Sequence, residues 1–174
     1  YNKICFIITP IGSDDSVERK HANMMLNHLI KPVTDELGLI IVRADKIDKA
    51  GLITHQILDY IAKSAYCIAD LSFNNPNVFY ELGFRQAFNK KTVLMIDDKT
   101  DRPFDISGLR SFQYDSSLRI DLVNKAIDDL VKALKETSDM GEHELNSLLK
   151  LLSIENPATL PEGHKLSDES TRSE

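Results

Sequence analysis

Four runs of β-branched, aromatic and aliphatic residues punctuate the first hundred positions: "KICFIIT" (3–9), "LIIVRA" (39–44), "AYCIADL" (65–71) and "KTVLMID" (91–97). A strand with one wet face alternates apolar and polar residues. A strand this uniformly apolar must be covered on both faces, which is the habit of parallel sheets flanked by helices.

The segments between the runs carry that helical cover. Ala22, Met25, Leu26, Leu29, Ile30, Val33 and Leu37 recur at helical spacing over 17–37, with Pro32 inside the segment as a kink or an end and Gly38 as a stop. Ile53, Ile57, Leu58 and Ile61 mark a second amphipathic helix, and 78–89 a third. A short strand is predicted at "SFQYD" (111–115), then a helix over 118–136 that gathers Ile120, Val123, Ile127, Leu130, Val131 and Leu134 on one face.

Alternating strands and helices predict an α/β fold, a doubly wound parallel five-stranded sheet in the flavodoxin-like order 2-1-3-4-5 with helices on both faces. The expected organisation is one domain over 1–137, a C-terminal helix over 138–153 with "LNSLLKLL" as an apolar edge, and a flexible tail or linker over 154–174. The chain starts at Tyr1 just before a strand and closes on a polar tail, and the expectation is a domain taken from a longer protein carrying a fused regulatory domain, a small protein with a frayed tail being the alternative.

At 174 residues the chain is long enough to bury its own core, and a net charge of −6 argues against nucleic acid as a direct partner. No apolar run approaches the ~18 residues of a membrane span, so no membrane partner is expected and the expected location is cytoplasmic. Cys5 and Cys67 both lie in strand runs and read as reduced core residues, a disulfide being the alternative. The five histidines show no metal-ligand spacing, so no metal or cofactor is expected.

In open α/β sheets the ligand crevice lies beyond the carboxyl ends of the strands, where the strand order reverses. That rule sets "TPIGSDD", after strand 1, beside "DLSFNNPN", after strand 3. The second loop carries a carboxylate at each lip: Asp70 ends the strand, and Glu81 lies about one turn into the next helix. Near a helix N-terminus the dipole favours the ionised form, and Phe79 and Tyr80 would partly dry it. An ionised, partly dry carboxylate at a crevice suits attack on a sugar anomeric carbon, whose transition state is cation-like. The plain alternatives are a dipole partner for Glu81 and a turn former for Asp70.

Asn74, Asn75 and Asn77 offer amides to sugar hydroxyls, and Pro10, Ile11, Gly12, Ser72 and Tyr80 line the two loops as candidate substrate contacts. Asp45 ends strand 2, where acids bind ribose in dinucleotide sites; an ordinary loop aspartate is the equal alternative. Arg19 reads as a solvated helix face, with a phosphate contact as the sharper alternative. "DRPFDISGLR" is long enough for a lid, with Phe104 stacking on a base and Arg110 pairing a phosphate, or else for a surface excursion.

"PIG" after strand 1, "RAD" after strand 2 and above all "CIADLSFNNPNVFYELGFRQAF" resemble the nucleoside 2-deoxyribosyltransferase-like superfamily, a relative of the TIR domains, over residues 3 to about 115. The resemblance implies cleavage of an N-glycosidic bond in a nucleoside, a nucleotide or NAD. It makes Glu81, which precedes Leu-Gly, the nucleophile; from their own positions Asp70 and Asn77 are expected to orient it and the sugar. The transferases often carry acids in the loop where this chain has Asn74, Asn75 and Asn77, which turns the expectation toward hydrolysis or a nucleotide substrate. By analogy such domains act as effectors in bacterial antiphage defence and as homo-oligomers. The competing classes are a nucleotide-sensing module and a TIR-like assembly scaffold working through the 141–153 helix.

Overall fold

The computed structural model describes residues 1–47, 53–106, 111–140 and 158–159. Residues 138 and 139, expected to open the C-terminal helix, instead end the long helix Ile120–Asp139; the rest of that expected helix from 141, its assembly role, Arg110 and nearly all of the 154–174 tail fall outside the described residues.

Five strands form one sheet: β1 (Ile4–Ile8), β2 (Ile40–Arg43), β3 (Tyr66–Asp70), β4 (Thr92–Asp97) and β5 (Ser111–Tyr114). Their spatial order is β2-β1-β3-β4-β5 and every pairing is parallel, as the runs predicted. The order reverses between β1 and β3, where Ile8 pairs with Ala69. The ends of these two strands therefore stand side by side, with the loops that follow them on the same edge.

Side chains alternate across the sheet and feed two separate cores. Cys5, Ile7, Ile68, Val93 and Met95 pack under Met25, Leu29, Val33 and the buried stripe Ala126, Leu130 and Leu134 of helix α5 (Ile120–Asp139). Phe6, Ile8, Cys67, Ala69, Leu94 and Ile96 pack on the opposite face against Ile61 of α3 (Ile53–Lys63) and Val78 and Leu82 of α4 (Pro76–Ala87). Cys5 and Cys67 are free thiols in different cores, so they cannot pair with one another.

Pro32 neither ends nor breaks the first helical stretch. Helix α1 (Val17–Met25) passes into a π-helical turn (Leu26–Ile30) and then into α2 (Lys31–Glu36), with Ile30 and Lys31 in right-handed helical geometry. The widened turn makes room for a proline ring that would otherwise collide with the carbonyl four residues back. Gly38, at φ +65°, then supplies the left-handed residue that closes α2, and the Leu39 amide returns to the Thr34 carbonyl at 2.8 Å.

Arg85, fully buried in α4, bolts that helix to its surroundings. Its guanidinium donates to the carbonyls of Ile61 (2.6 Å), Ser64 (2.9 Å) and Lys91 (2.8 Å) and to Thr92 Oγ1 (3.3 Å). It thereby takes up open carbonyls at the C-terminal end of α3 and just ahead of β4.

Candidate active site

Helix α4 starts abruptly after the β3 loop. Asn75 caps it, its side-chain oxygen accepting from the Asn77 amide at 2.9 Å, and Pro76 opens the first turn. Val78, Leu82 and Arg85 form its buried stripe. At about 3.6 residues per turn, Glu81 falls on the border of that stripe, one turn after Asn77 on the same flank. Asn77 is exposed and Glu81 half-buried. The Glu81 carboxylate lies close enough to Cys67 of β3 for its charge, after burial, to help push that thiol up to about 12.

Glu81 makes no ion pair or hydrogen bond among the described residues. Burial alone pushes its carboxyl up to about 7. By contrast, Asp45 is ion-paired, and the carboxyl oxygens of Asp70 and Asp97, at the ends of β3 and β4, accept hydrogen bonds.

Asp70 does not join Glu81. Strand alternation sends its side chain to the α1/α5 face, whereas α4 covers the other face. There Asp70, fully buried, accepts the Ser72 hydroxyl (2.6 Å) and amide (3.1 Å) and the Tyr114 hydroxyl (3.2 and 3.3 Å). His21 Nε2 lies 2.6 Å from the Tyr114 hydroxyl and 3.9 Å from Asp70. Burial raises the Asp70 carboxyl, while Ser72, His21 and Tyr114 oppose the rise. The role expected of Asp70, orienting Glu81 and the sugar, gives way to that of a buried anchor, because every strand-end carboxylate on this face needs donors inside the protein.

Ser72 is likewise part of the frame. It has no exposed surface, and its hydroxyl also accepts from the Asp97 amide at 2.9 Å. The loop after it carries Phe73 and Asn74 in left-handed conformation, at φ 65° and 49°. An aromatic residue there is strained, and strain of this sort gathers at functional loops. The loop is held from both sides: Phe73 sets its ring on the edge of His21 with centroids 5.2 Å apart, its amide donates to Thr100 Oγ1 at 3.0 Å, and Asn74 Nδ2 donates to the Asp101 carbonyl at 3.1 Å.

Asp45 departs from the ribose-binding expectation. Both of its oxygens are engaged, by Arg43 Nε (2.5 Å), Arg43 Nη2 (2.7 Å) and Arg19 Nη1 (2.6 Å). Arg19 is correspondingly no solvated residue, its side chain being 17% exposed. Pro10 is buried, and Ile11 and Gly12, in the loop after β1, are partly exposed. Tyr80 is 68% exposed on α4, outside the buried stripe of Val78, Leu82 and Arg85, so little of its ring is available to dry the Glu81 carboxylate. Phe104 is 89% exposed rather than tucked into the core.

Sequence reading passed over His21, Arg43, Tyr114 and Arg85. The signal for the first three was indirect. Asp70 at the buried end of β3 and Asp45 just past the end of β2 require donors nearby, and the donors come from neighbouring strand ends and from α1. Among the described residues, no three His, Cys, Asp or Glu side chains converge as metal ligands do, and no helix is long and apolar enough to cross a membrane.

No family model and no curated protein matches the chain. Solved structures do. A 2-desoxiribosyltransferase from Leishmania mexicana is similar at 20% identity and a TM-score of 0.44, over 58% of this chain and 67% of that one. The Clostridium botulinum CMP N-glycosidase BcmB is similar at 20% identity and a TM-score of 0.47, over 72% of this chain and 99% of that one. At such values the likeness concerns the path of the chain, and the five-stranded order stands on its own pairings.

Proposed function

We propose that this domain cleaves the N-glycosidic bond of a nucleoside, a nucleotide or NAD, with Glu81 as the nucleophile. The observation that carries the reading is Glu81 itself. A half-buried carboxylate without a cationic partner among the described residues, on the helix that follows the β3 loop, has a burial-raised proton affinity and no structural bond to keep it there.

In the reaction, an ionised Glu81 oxygen bonds to the sugar C1′ as the C1′–N bond breaks. The base leaves with that electron pair and takes a proton from solvent, or leaves neutral without one when it is nicotinamide. Water then attacks C1′, displaces the Glu81 carboxylate and releases the sugar, its spare proton going to solvent. The exposed amide of Asn77, on the same flank one turn earlier, is suited to a sugar hydroxyl. Asn75 lies in the loop after β3, and Ile11 and Gly12 in the loop after β1.

The test is to incubate the protein with NAD, ATP, CMP, dCMP and deoxynucleosides and separate the products by chromatography. Free base with the wild type and none with Glu81→Gln supports the reading. Saturable binding of an intact ligand by both proteins replaces it with a nucleotide-sensing module.

A further inference from the structure

The loop after β1 leaves the sheet at Thr9, so no strand ladder holds it. What holds it is a chain of ionic contacts from the neighbouring strand. Arg19, on α1, closes its guanidinium fork on the Gly12 carbonyl, with Nε at 3.2 Å and Nη2 at 3.0 Å. Its remaining nitrogen, Nη1, donates to Asp45 Oδ2 at 2.6 Å. Asp45 is held in turn by Arg43, which is 1% exposed and donates its Nη2 to Asn23 of α1 as well, at 2.7 Å. Burial would raise the Asp45 carboxyl, but the Arg43 hydrogen bond and the charges of Arg43 and Arg19 outweigh it and hold the carboxyl below its usual range. Asp14, fully exposed at 3.8 Å from Arg19, adds only a solvated charge.

The geometry of this chain is directional. Arg43 grips both Asp45 oxygens, and Arg19 is held at three nitrogens, two on the Gly12 carbonyl and one on Asp45, which restrains it in rotation as well as position. The backbone at Gly12 has little slack on its other side. A Cβ there would come within 2.4 Å of Ser16 Oγ, and Ser16 is the N-cap of α1, accepting from the Arg19 amide at 3.1 Å. Gly12 is therefore gripped by the Arg19 side chain and backed by the Arg19 helix start.

We infer that Arg19 and Asp45, seated on Arg43, are positioning residues that hold the 10–12 loop at the mouth of the crevice without touching the substrate. The effect on turnover rests on the glycosidase reading; the loop geometry does not. A loop that frays must be ordered again each time substrate binds, so loss of the clamp weakens substrate binding more than it slows the chemical step.

Two variants of the full chain test this. Arg19→Lys keeps the charge opposite Asp45 but loses the fork. Asp45→Asn keeps the shape but loses the ion pairs. Backbone amide exchange is followed over residues 9–16, with β3 and β4 as the internal reference, and base release is followed for kcat and KM. The expected result is amide exchange about tenfold faster or more in the loop alone, KM up about tenfold and kcat changed less than about threefold. Unchanged loop exchange in both variants overturns the inference. So does a raised KM in Asp45→Asn with loop protection intact, because Asp45 would then be meeting the substrate itself. Wild-type protein that releases no base defeats the glycosidase reading, and amide exchange then decides the clamp alone.

Discussion

Arg85 follows Glu81 by one helical turn in α4, and the two do not pair. The guanidinium is consumed by the carbonyls of Ile61, Ser64 and Lys91, so the Glu81 carboxylate is left half-buried with its neighbouring cation turned away. At a helix surface an i,i+4 Glu–Arg arrangement ordinarily contributes a few tenths of a kcal/mol. Here the arginine serves the frame, and the glutamate is free for something else.

The first prediction concerns pH. If ionised Glu81 attacks C1′, kcat/KM for base release rises with pH and levels off above a midpoint near 7, the value to which burial pushes its carboxyl. Initial rates between about pH 5 and 9 check this. A profile falling through the same midpoint would make Glu81 a proton donor.

The second concerns stability, and its sign is opposite to that of a paired carboxylate. Burial raises the folded-state value of Glu81 from 4.5 to about 7, so ionising it weakens the fold as pH climbs between those values. Glu81→Gln is expected to be more stable than wild type at pH 8 by about 1–2 kcal/mol, after discount for partial exposure, and little changed at pH 4. Urea denaturation at both pH values measures it. Equal stability throughout would mean the carboxyl is well solvated.

Arg85→Met is expected to cost about 3–5 kcal/mol, because it strips donors from buried carbonyls of Ile61 and Ser64. Thermal or urea unfolding reports the loss. A change under about 1 kcal/mol would show that solvent already reaches those groups.

Tyr114→Phe removes one hydroxyl that meets His21, Ser72 and Asp70 together. The expected cost is about 1–3 kcal/mol, since Asp70 keeps the Ser72 donors but His21 loses its partner. The check is unfolding at pH 7 alongside Ser72→Ala, with the double variant losing more than the two singles combined.

Gly12→Ala should destabilise, and Ser16→Ala should suppress part of that loss. The added methyl meets Ser16 Oγ at 2.4 Å, so removing the hydroxyl relieves the clash even though it also costs α1 its cap, about 1 kcal/mol. A double-mutant cycle in which the two effects simply add would refute the contact.

Much of the fold was legible because its signals are local. Four continuous apolar runs demand cover on both faces, and alternation with amphipathic segments forces parallel pairing, whatever the distant contacts are. Pro32 was legible as an irregularity but not in kind. A π-helical turn absorbed it, and turn widening depends on what packs outside, here Leu29, Ile30 and Val33 in the core beneath α5.

The site divides the same way. The chain alone determined that Asp70 would end β3 at the edge where the strand order reverses, because strand ends are written in residue type and spacing. Which carboxylate stays free was decided only in three dimensions. Asp70, Asp45 and Glu81 look alike in one dimension, yet Tyr114 and Ser72 engage the first, Arg43 and Arg19 the second, and Arg85 turns from the third. Partners up to 44 positions away make that difference, and the electrostatic state of a carboxylate is set by its neighbours in space rather than its neighbours in the chain.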